Sequence, residues 1–276
     1  MKQSNLKEST VQQTLCIPLW GRMLAAEKYP YLFPDNDAKQ IVKALGIDFS
    51  DKFLYKLQYS WMNCLIRQYN LAWEINSYIK HHLQATVVEL GAGLSCLRKQ
   101  MLNDTNPWYC LDMENVIRLR EKHIPSGRNE KNIICDLNDF SWFDKIHFNA
   151  DKGIVFTAGG LFYYFEKEHV KKLFCAMAEY FPSGMIAFDA VNSIGLKFVN
   201  VEVKMAGNKT KFYFSLENPK GELQNWSEHI INVSEKDYVN GYLKSGYKQD
   251  VITKLFAWIM RKFHMSFMVH AEFDGG

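Results

Sequence analysis

The stretch Val87-Val88-Glu89-Leu90-Gly91-Ala92-Gly93-Leu94 constrains the fold of this chain more than any other. Two β-branched residues lead through an acidic one into a Gly-x-Gly turn, and Ser95 to Met101 can open a helix behind it. A short apolar run closed by a turn reads as a buried parallel strand. Gly91 and Gly93 carry no Cβ, so they admit positive φ and let a ligand approach the backbone closely. The first N–H groups of the following helix point at the same place. In a doubly wound sheet, such a turn at the carboxyl end of the first strand is where nucleotide-like cofactors bind.

Two residues narrow the cofactor. A dinucleotide fingerprint wants a third small residue three positions beyond its second glycine, where helix packs on strand. Here that position is Cys96. Glu89, just before the turn, suits a positively charged or amino-bearing ligand rather than a pyrophosphate. Both count against a nicotinamide oxidoreductase. Asp112, at the end of the next expected strand, supplies a second acid at the same edge.

The rest of the chain reads as β-α alternation behind a helical start. Residues 1–13 are polar and read as a loose arm or the start of a lid helix. Helices are expected at Thr14–Glu27, Asp37–Leu45 and Ser60–Leu83, with a proline-marked break from Tyr29 to Pro34. In the third helix Trp61, Leu65, Tyr69 and Trp73 recur every four residues. Strands are expected at Thr86–Leu90, Trp108–Asp112, Asn132–Asp136, Gly153–Thr157 and Met185–Asp189. Helices fall between them, the clearest running from about Glu166 to a stop at Pro182-Ser183-Gly184. This rhythm predicts a parallel sheet with right-handed crossovers.

After Asp189 the rhythm changes. A helix is expected at Ile194–Met205, a strand or extended segment at Lys211–Leu216, and a turn at Asn218-Pro219-Lys220-Gly221. Ile230–Val233 reads as a further strand, Gln249–Phe263 as an amphipathic helix and Met265–Phe273 as a last strand. The division that follows is a helical cap over residues 1–83 and a Rossmann-like core over 84–276. Residues 190–228 are too long for a simple crossover and read as a flap over the site.

At this point an ordered set of residues resembles a known family. It comprises Leu90-Gly91-Ala92-Gly93-Leu94, Leu111-Asp112, Asp136-Leu137, the block Gly160-Leu161-Phe162-Tyr163-Tyr164-Phe165 and Phe188-Asp189, behind a cap that carries an arginine. The series is similar to the S-adenosylmethionine-dependent methyltransferases grouped with the tetracenomycin polyketide synthesis O-methyltransferase and the leucine carboxyl methyltransferases. It covers about residues 14–273. The resemblance implies a class I methyltransferase fold: an α/β, seven-stranded, mostly parallel sheet with an N-terminal helical cap and an insertion after strand five. It implies S-adenosylmethionine as cofactor and S-adenosylhomocysteine as product.

It also implies roles. Arg67 matches the arginine that pairs with the cofactor's carboxylate. Gly91, Ala92 and Gly93 form the turn that lies against the cofactor, with Glu89 below it. Asp112, with Met113 beside it, matches the acid that binds the ribose hydroxyls. Asp136 and Leu137 flank the adenine, and Thr157, Ala158 and Gly159 lie beside the methionine part. Two departures fall near the site. Ser95-Cys96-Leu97 stands where the family often has Asp-x-Arg, and Gly159 where it often has a glutamate.

On the acceptor side the sequence offers candidates only. Trp20 and Arg22 in the cap, Tyr163 after strand four and Trp226 in the flap are expected to bind substrate. Tyr164, or a flap residue such as His229, is the candidate base for a phenol or alcohol; a carboxylate acceptor needs none. The expected acceptor is a small, hydrophobic, polyketide-like molecule, methylated on oxygen. A protein carboxyl methyltransferase with Arg22 holding the partner's tail, and a catalytically silent cofactor-binding module, remain as alternatives.

Composition excludes little but agrees. Hydrophobic residues make up 47% and charged residues 23% of 276, and the formal net charge is +3 without a basic run, which argues against nucleic-acid binding. Six dispersed cysteines without a Cys-x-x-Cys read as small buried hydrophobes in a reducing compartment, and no spacing suggests a metal site. No apolar run approaches a membrane span, so neither membrane nor leader is expected and the cytoplasm is the default.

Overall fold

The computed structural model describes residues 10–28, 30, 35–46, 58–101, 105–205, 210–239 and 251–275. The arm before residue 10 and most of the Tyr29–Pro34 break lie outside the described residues.

Three helices precede the sheet: α1 (Thr10–Lys28), α2 (Asn36–Leu45) and α3 (Gln58–His81). Asp35 caps α2 by accepting the Ala38 N–H, and Gly46, at φ +63°, closes it with a left-handed turn. The alternating part then runs β1 (Thr86–Leu90), β2 (Trp108–Asp112), α4 (Glu114–His123), β3 (Glu130–Ile134), β4 (Ile154–Ala158), α5 (Lys167–Tyr180) and β5 (Gly184–Val191). Next come α6 (Ser193–Met205), α7 (Pro219–Gln224), β6 (Ile230–Asp237), α8 (Val251–Lys262) and β7 (Ser266–Phe273).

The seven strands form one sheet in the order β3-β2-β1-β4-β5-β7-β6. Strands β1 to β5 pair in parallel, and β7 lies antiparallel between β5 and β6. This is the topology expected of a class I methyltransferase fold, with its strand reversal at β1 and β4. Alternation along the strands sends neighbours to opposite faces. Val88 and Leu90 join an aromatic core with Trp142, Phe156, Phe174 and Phe181. Val87 joins Ile75 and Ile79 of α3 with Val155 and Ala187 on the other face. Helix α3 therefore covers the sheet as well as reaching over its edge. A third cluster seats α1 and α2 on the glycine turn, through Leu19, Ile41 and Val42 against Leu94 and Cys96.

Three local expectations change. The helix expected after Gly93 is only a single 3-10 turn, Leu97–Gln100. The carbonyls of Gly93, Leu94 and Ser95, which would start an α-helical ladder, accept from arginine side chains instead, and the Leu97 N–H goes to Ser95 Oγ. The Asn218-Pro219 turn is the start of α7: Asn218 caps it by accepting the Gly221 N–H, and Pro219 occupies its first position. Lys211–Leu216 is extended but unpaired as a strand. It is tied down where Tyr213 N–H meets the Tyr163 carbonyl and Leu216 N–H the Val191 carbonyl.

Candidate active site

A cavity of about 590 Å³ runs along the carboxyl ends of the parallel strands. At one end it is lined by Asp112, Met113, Asp136 and Leu137, after β2 and β3. At the other it is lined by Tyr163, Tyr164, Val199, Glu202, Val203 and Phe212. A smaller chamber of about 120 Å³ adjoins it beneath the glycine turn, sharing Cys64, Arg67, Gly91 and Gly159. Glu89, Ala92, Gly93, Thr157, Arg22 and Gln68 line this second space.

The turn is built as a cradle. Gly91 and Gly93 have φ of +61° and +52°, the left-handed region that glycine enters without strain. A Cβ at Gly91 would lie 2.5 Å from Leu161 Cδ1. Asp112 fixes the turn from below: its Oδ2 accepts the Gly93 N–H at 2.8 Å and its Oδ1 the Met113 N–H at 2.8 Å. Burial pushes the Asp112 carboxyl up, against those two amides and the charge of Arg120. Arg120 donates to the carbonyls of Gly93 and Ser95 and to Glu130, and Arg22 to the Leu94 carbonyl and, at 2.6 Å, to Asp35.

Glu89 is buried under the turn. It accepts from Trp108 Nε1 at 2.7 Å, and burial raises its carboxyl against the opposing charge of Arg120. Here a structural partner and a position on the chamber wall coexist.

Arg67 reaches the cavity from α3, where its Nη1 lies 3.2 Å from Asp189 Oδ2. Asp189, at the end of β5, also accepts the Gly160 N–H at 2.6 Å and the Tyr163 hydroxyl at 3.0 Å. Burial and the Asp189 charge hold the Tyr163 phenol well above its usual range, so it stays a donor. A side chain at Gly159 would meet Leu71 at 2.9 Å and Arg67 at 3.5 Å, so the absence of a glutamate there has a steric reason. Asp136 accepts the Asn138 N–H and side-chain amide, which folds the loop after β3 against the cavity.

Of the residues expected from sequence, Arg67, Glu89, Gly91, Ala92, Gly93, Asp112, Met113, Asp136, Leu137, Thr157, Gly159, Arg22, Tyr163 and Tyr164 line the two spaces. Ala158 is buried inside β4 rather than on the wall. Trp20 packs inside the protein and Trp226 packs edge-on to Phe174 at 5.7 Å, so neither tryptophan reaches the cavity wall. His229 sits 3.0 Å from Asp274, at the far edge of the sheet, which removes it as a base. Arg22 faces the glycine turn and the smaller chamber rather than the Tyr163–Phe212 end of the cavity.

Asp189, Arg120, Gln68, Glu202 and Phe212 were not singled out from sequence. Arg120 carried a signal, since it falls on the face of α4 that buries Val116 and Ile117. Asp189 closed a recognised strand-end motif without a role. Among the described residues no cluster of three or more His, Cys, Asp or Glu is placed to hold a metal, and no helix is long and apolar enough to cross a membrane.

No family model matches the chain. It is 23% identical over 214 residues to the tetracenomycin polyketide synthesis O-methyltransferase TcmP of Streptomyces glaucescens, covering 76% of this chain and 77% of that protein. Among solved structures, a provisionally assigned methyltransferase from Thermobifida fusca superposes with a TM-score of 0.61 at 8% identity, over 85% of this chain and 93% of that one. The plantazolicin methyltransferase BpumL, solved with S-adenosylhomocysteine, superposes with a TM-score of 0.51 at 12% identity, over 96% of this chain and all of that one. The chain has the class I methyltransferase fold and is a distant relative of that polyketide synthesis O-methyltransferase.

Proposed function

We propose that this protein transfers the methyl group of S-adenosylmethionine to an oxygen of a small hydrophobic acceptor. The observation that carries this reading is the continuity of one cavity. It joins strand-end acids and a glycine cradle at one end to an apolar chamber at the other.

The residues fit such a donor. Asp112 faces the cavity with acceptor capacity for ribose hydroxyls, and Asp136 and Leu137 line the cavity with it. Arg22 Nη2 and Gln68 Nε2 are buried with no hydrogen-bond partner among the described residues, and both line the smaller chamber. Unmet buried donors are costly, and a carboxylate there satisfies them. Arg67, facing the same chamber, adds positive charge, while Glu89 and the end of β4 suit an amino group.

When bound, the donor supplies an electrophilic methyl: the new O–C bond forms as the S–C bond breaks, the electron pair stays on sulfur, and the hydroxyl proton passes to solvent. The protein's own part is to align donor and acceptor. Leu161, held over Gly91, and Cys64 and Arg67 on α3 close the space from opposite sides. Tyr163 is fixed by Asp189, and Tyr164 and Phe212 flank the apolar end with rings 5.0 Å apart. Tyr164 is the hydroxyl we assign to orienting the acceptor. A protein C-terminal carboxylate is disfavoured as acceptor, because Asp189 and Glu202 line that end and Arg22 does not.

Calorimetry with S-adenosylhomocysteine, with NAD as control, tests the donor. Radiolabelled transfer to 1-naphthol, 1-naphthoic acid and a leucine-ended peptide tests the acceptor. Binding of NAD without S-adenosylhomocysteine, or transfer to the peptide alone, would overturn this reading.

A further inference from the structure

Helices α6 and α8 each present two faces. With their inner sides they line the apolar end of the cavity, α6 through Val199 and Val203 and α8 through Met260. Their outer sides are also apolar. Ile194 and Val201 on α6, Leu255 and Trp258 on α8, and Phe263 just beyond it are each between 48% and 57% exposed. Single exposed apolar side chains are ordinary on a protein surface, whereas a group of them on two adjoining helices marks a contact. The helices adjoin where Asn192 leads into α6. Its N–H meets the Met265 carbonyl at 3.3 Å and its side-chain amide the Phe263 carbonyl at 3.0 Å.

The charges interleaved with these residues have one sign. Lys197 and Lys204 share the outer face of α6 with Ile194 and Val201, at three- and four-residue steps. Lys254, Arg261 and Lys262 flank Leu255 and Trp258 on α8 in the same way. All five cations are exposed, and residues 251–264 contain no Asp or Glu. The one acid of α6, Glu202, lines the cavity instead. Two further acids border this surface and both are engaged: Glu217 accepts the Ser193 N–H at 2.8 Å, and Glu235 lies 3.2 Å from His264. Lys262 Nζ stands 4.9 Å from the Trp258 ring and 5.9 Å from that of Phe263, which sets a cationic head beside exposed aromatic surface.

That combination selects an occupant. A nucleic acid answers the cations but leaves Ile194, Val201 and Leu255 without an apolar partner. A second copy of the chain, set face to face, would cover them but bring like charges together. An anionic bilayer answers both: apolar side chains enter the boundary between headgroups and acyl chains, while Lys and Arg reach the lipid phosphates. We propose that the outer face of α6 and α8 docks this protein on an anionic lipid surface. Among the described residues no helix is long and apolar enough to span a membrane, so the contact is peripheral. It is independent of what the cavity binds.

The test is co-sedimentation of the full chain with vesicles of phosphatidylcholine alone, or of equal parts phosphatidylcholine and phosphatidylglycerol. The wild type should bind the mixed vesicles, bind the neutral ones about tenfold or more weakly, and be released as salt rises. Arg261→Gln with Lys262→Gln should weaken binding by about twenty- to thirtyfold, at about fivefold for each cation removed. Trp258→Ser with Phe263→Ser should weaken it by about tenfold or more. Melting temperatures should be unchanged in both, because all four side chains are exposed. Brominated acyl chains should quench tryptophan fluorescence in the wild type and much less in Trp258→Phe, which keeps an aromatic ring there. No preference for the anionic vesicles, or equal quenching in wild type and Trp258→Phe, would overturn the proposal. So would a salt-sensitive complex with duplex DNA in place of vesicle binding, which assigns the face to a nucleic acid. A dimer in gel filtration that Trp258→Ser dissolves would overturn it too, and assign the face to a second copy.

Discussion

Arg67 Nη1 lies 3.2 Å from Asp189 Oδ2, a contact that ties α3 to the end of β5 across 122 residues of chain. The Asp189 side chain is 2% exposed and that of Arg67 16%, so each charge depends on the other. The same carboxylate orders Gly160 and Tyr163 on the cavity wall.

Removing one partner should therefore be expensive. Asp189→Asn or Arg67→Leu is expected to cost about 3–5 kcal/mol of stability, the usual result of stranding one charge of a buried pair. In a double-mutant cycle by urea unfolding the two losses should couple by about 1 kcal/mol or more. Simple additivity would mean the pair is not what holds α3 there.

Asp112→Ala should weaken S-adenosylhomocysteine by about 1–3 kcal/mol through lost charge-assisted hydrogen bonds. The turn also loses its anchor at Gly93 and Met113, so thermal unfolding must be followed alongside calorimetry. An unaltered affinity would remove Asp112 from the nucleoside site.

The glycine cradle predicts a suppressible defect. Gly91→Ala places an L-residue in the left-handed region, costing about 1–2 kcal/mol, and drives its Cβ against Leu161. Leu161→Ala in the same chain should recover the part due to the clash, with the backbone part remaining. Loss of S-adenosylhomocysteine binding and its partial return in the double variant are the measurements. A tolerated Gly91→Ala would show that the turn can relax.

Gln68 separates stability from binding. Its Nε2 is buried and unmet among the described residues, so Gln68→Leu should leave stability unchanged or raise it by up to about 1 kcal/mol. Affinity for S-adenosylhomocysteine should fall, while affinity for adenosine, which has no carboxylate, should hold. Equal losses for both ligands would place Gln68 away from the carboxylate.

His270 gives the pH dependence. Burial lowers its pKa, but hydrogen bonds and charge from Glu74 and Glu272 outweigh this, and the net shift is upward. Lys236, 2.8 Å from Glu74, is the opposing positive neighbour. A pKa raised in the folded state gives stability that is complete below the unfolded value of about 6.5 and is lost as pH rises through the folded one. The gap in melting temperature between wild type and His270→Gln should accordingly be widest at acidic pH and close toward pH 8. A gap that widens with rising pH would reverse the assignment.

The sheet was legible because its strands announce themselves. Thr86–Leu90 and Trp108–Asp112 are short apolar runs stopped by a glycine turn or an acid, and both strands have those bounds. The central helices were readable from periodicity, and the strand-end acids from their place in the β-α rhythm. Less legible was whatever depends on a distant partner. The helix expected after Gly93 shrank to one turn because Arg22 and Arg120, 72 and 27 residues from the carbonyls they bind, take the Leu94 and Gly93 oxygens. Trp20 and Trp226 look alike to composition, but burial against α-helical and strand neighbours, not residue type, decides whether an indole meets a cavity.

Local chemistry written in the chain thus determined the parallel sheet, the glycine turn and the acids at the strand tips, since periodicity and backbone freedom are properties of neighbouring residues. Only the tertiary structure decided which charges meet: that Arg67 is held by Asp189, and that Arg22 turns to the cradle and to Asp35. Those outcomes follow from burial, which makes a charge seek its partner across whatever length of chain the fold brings near.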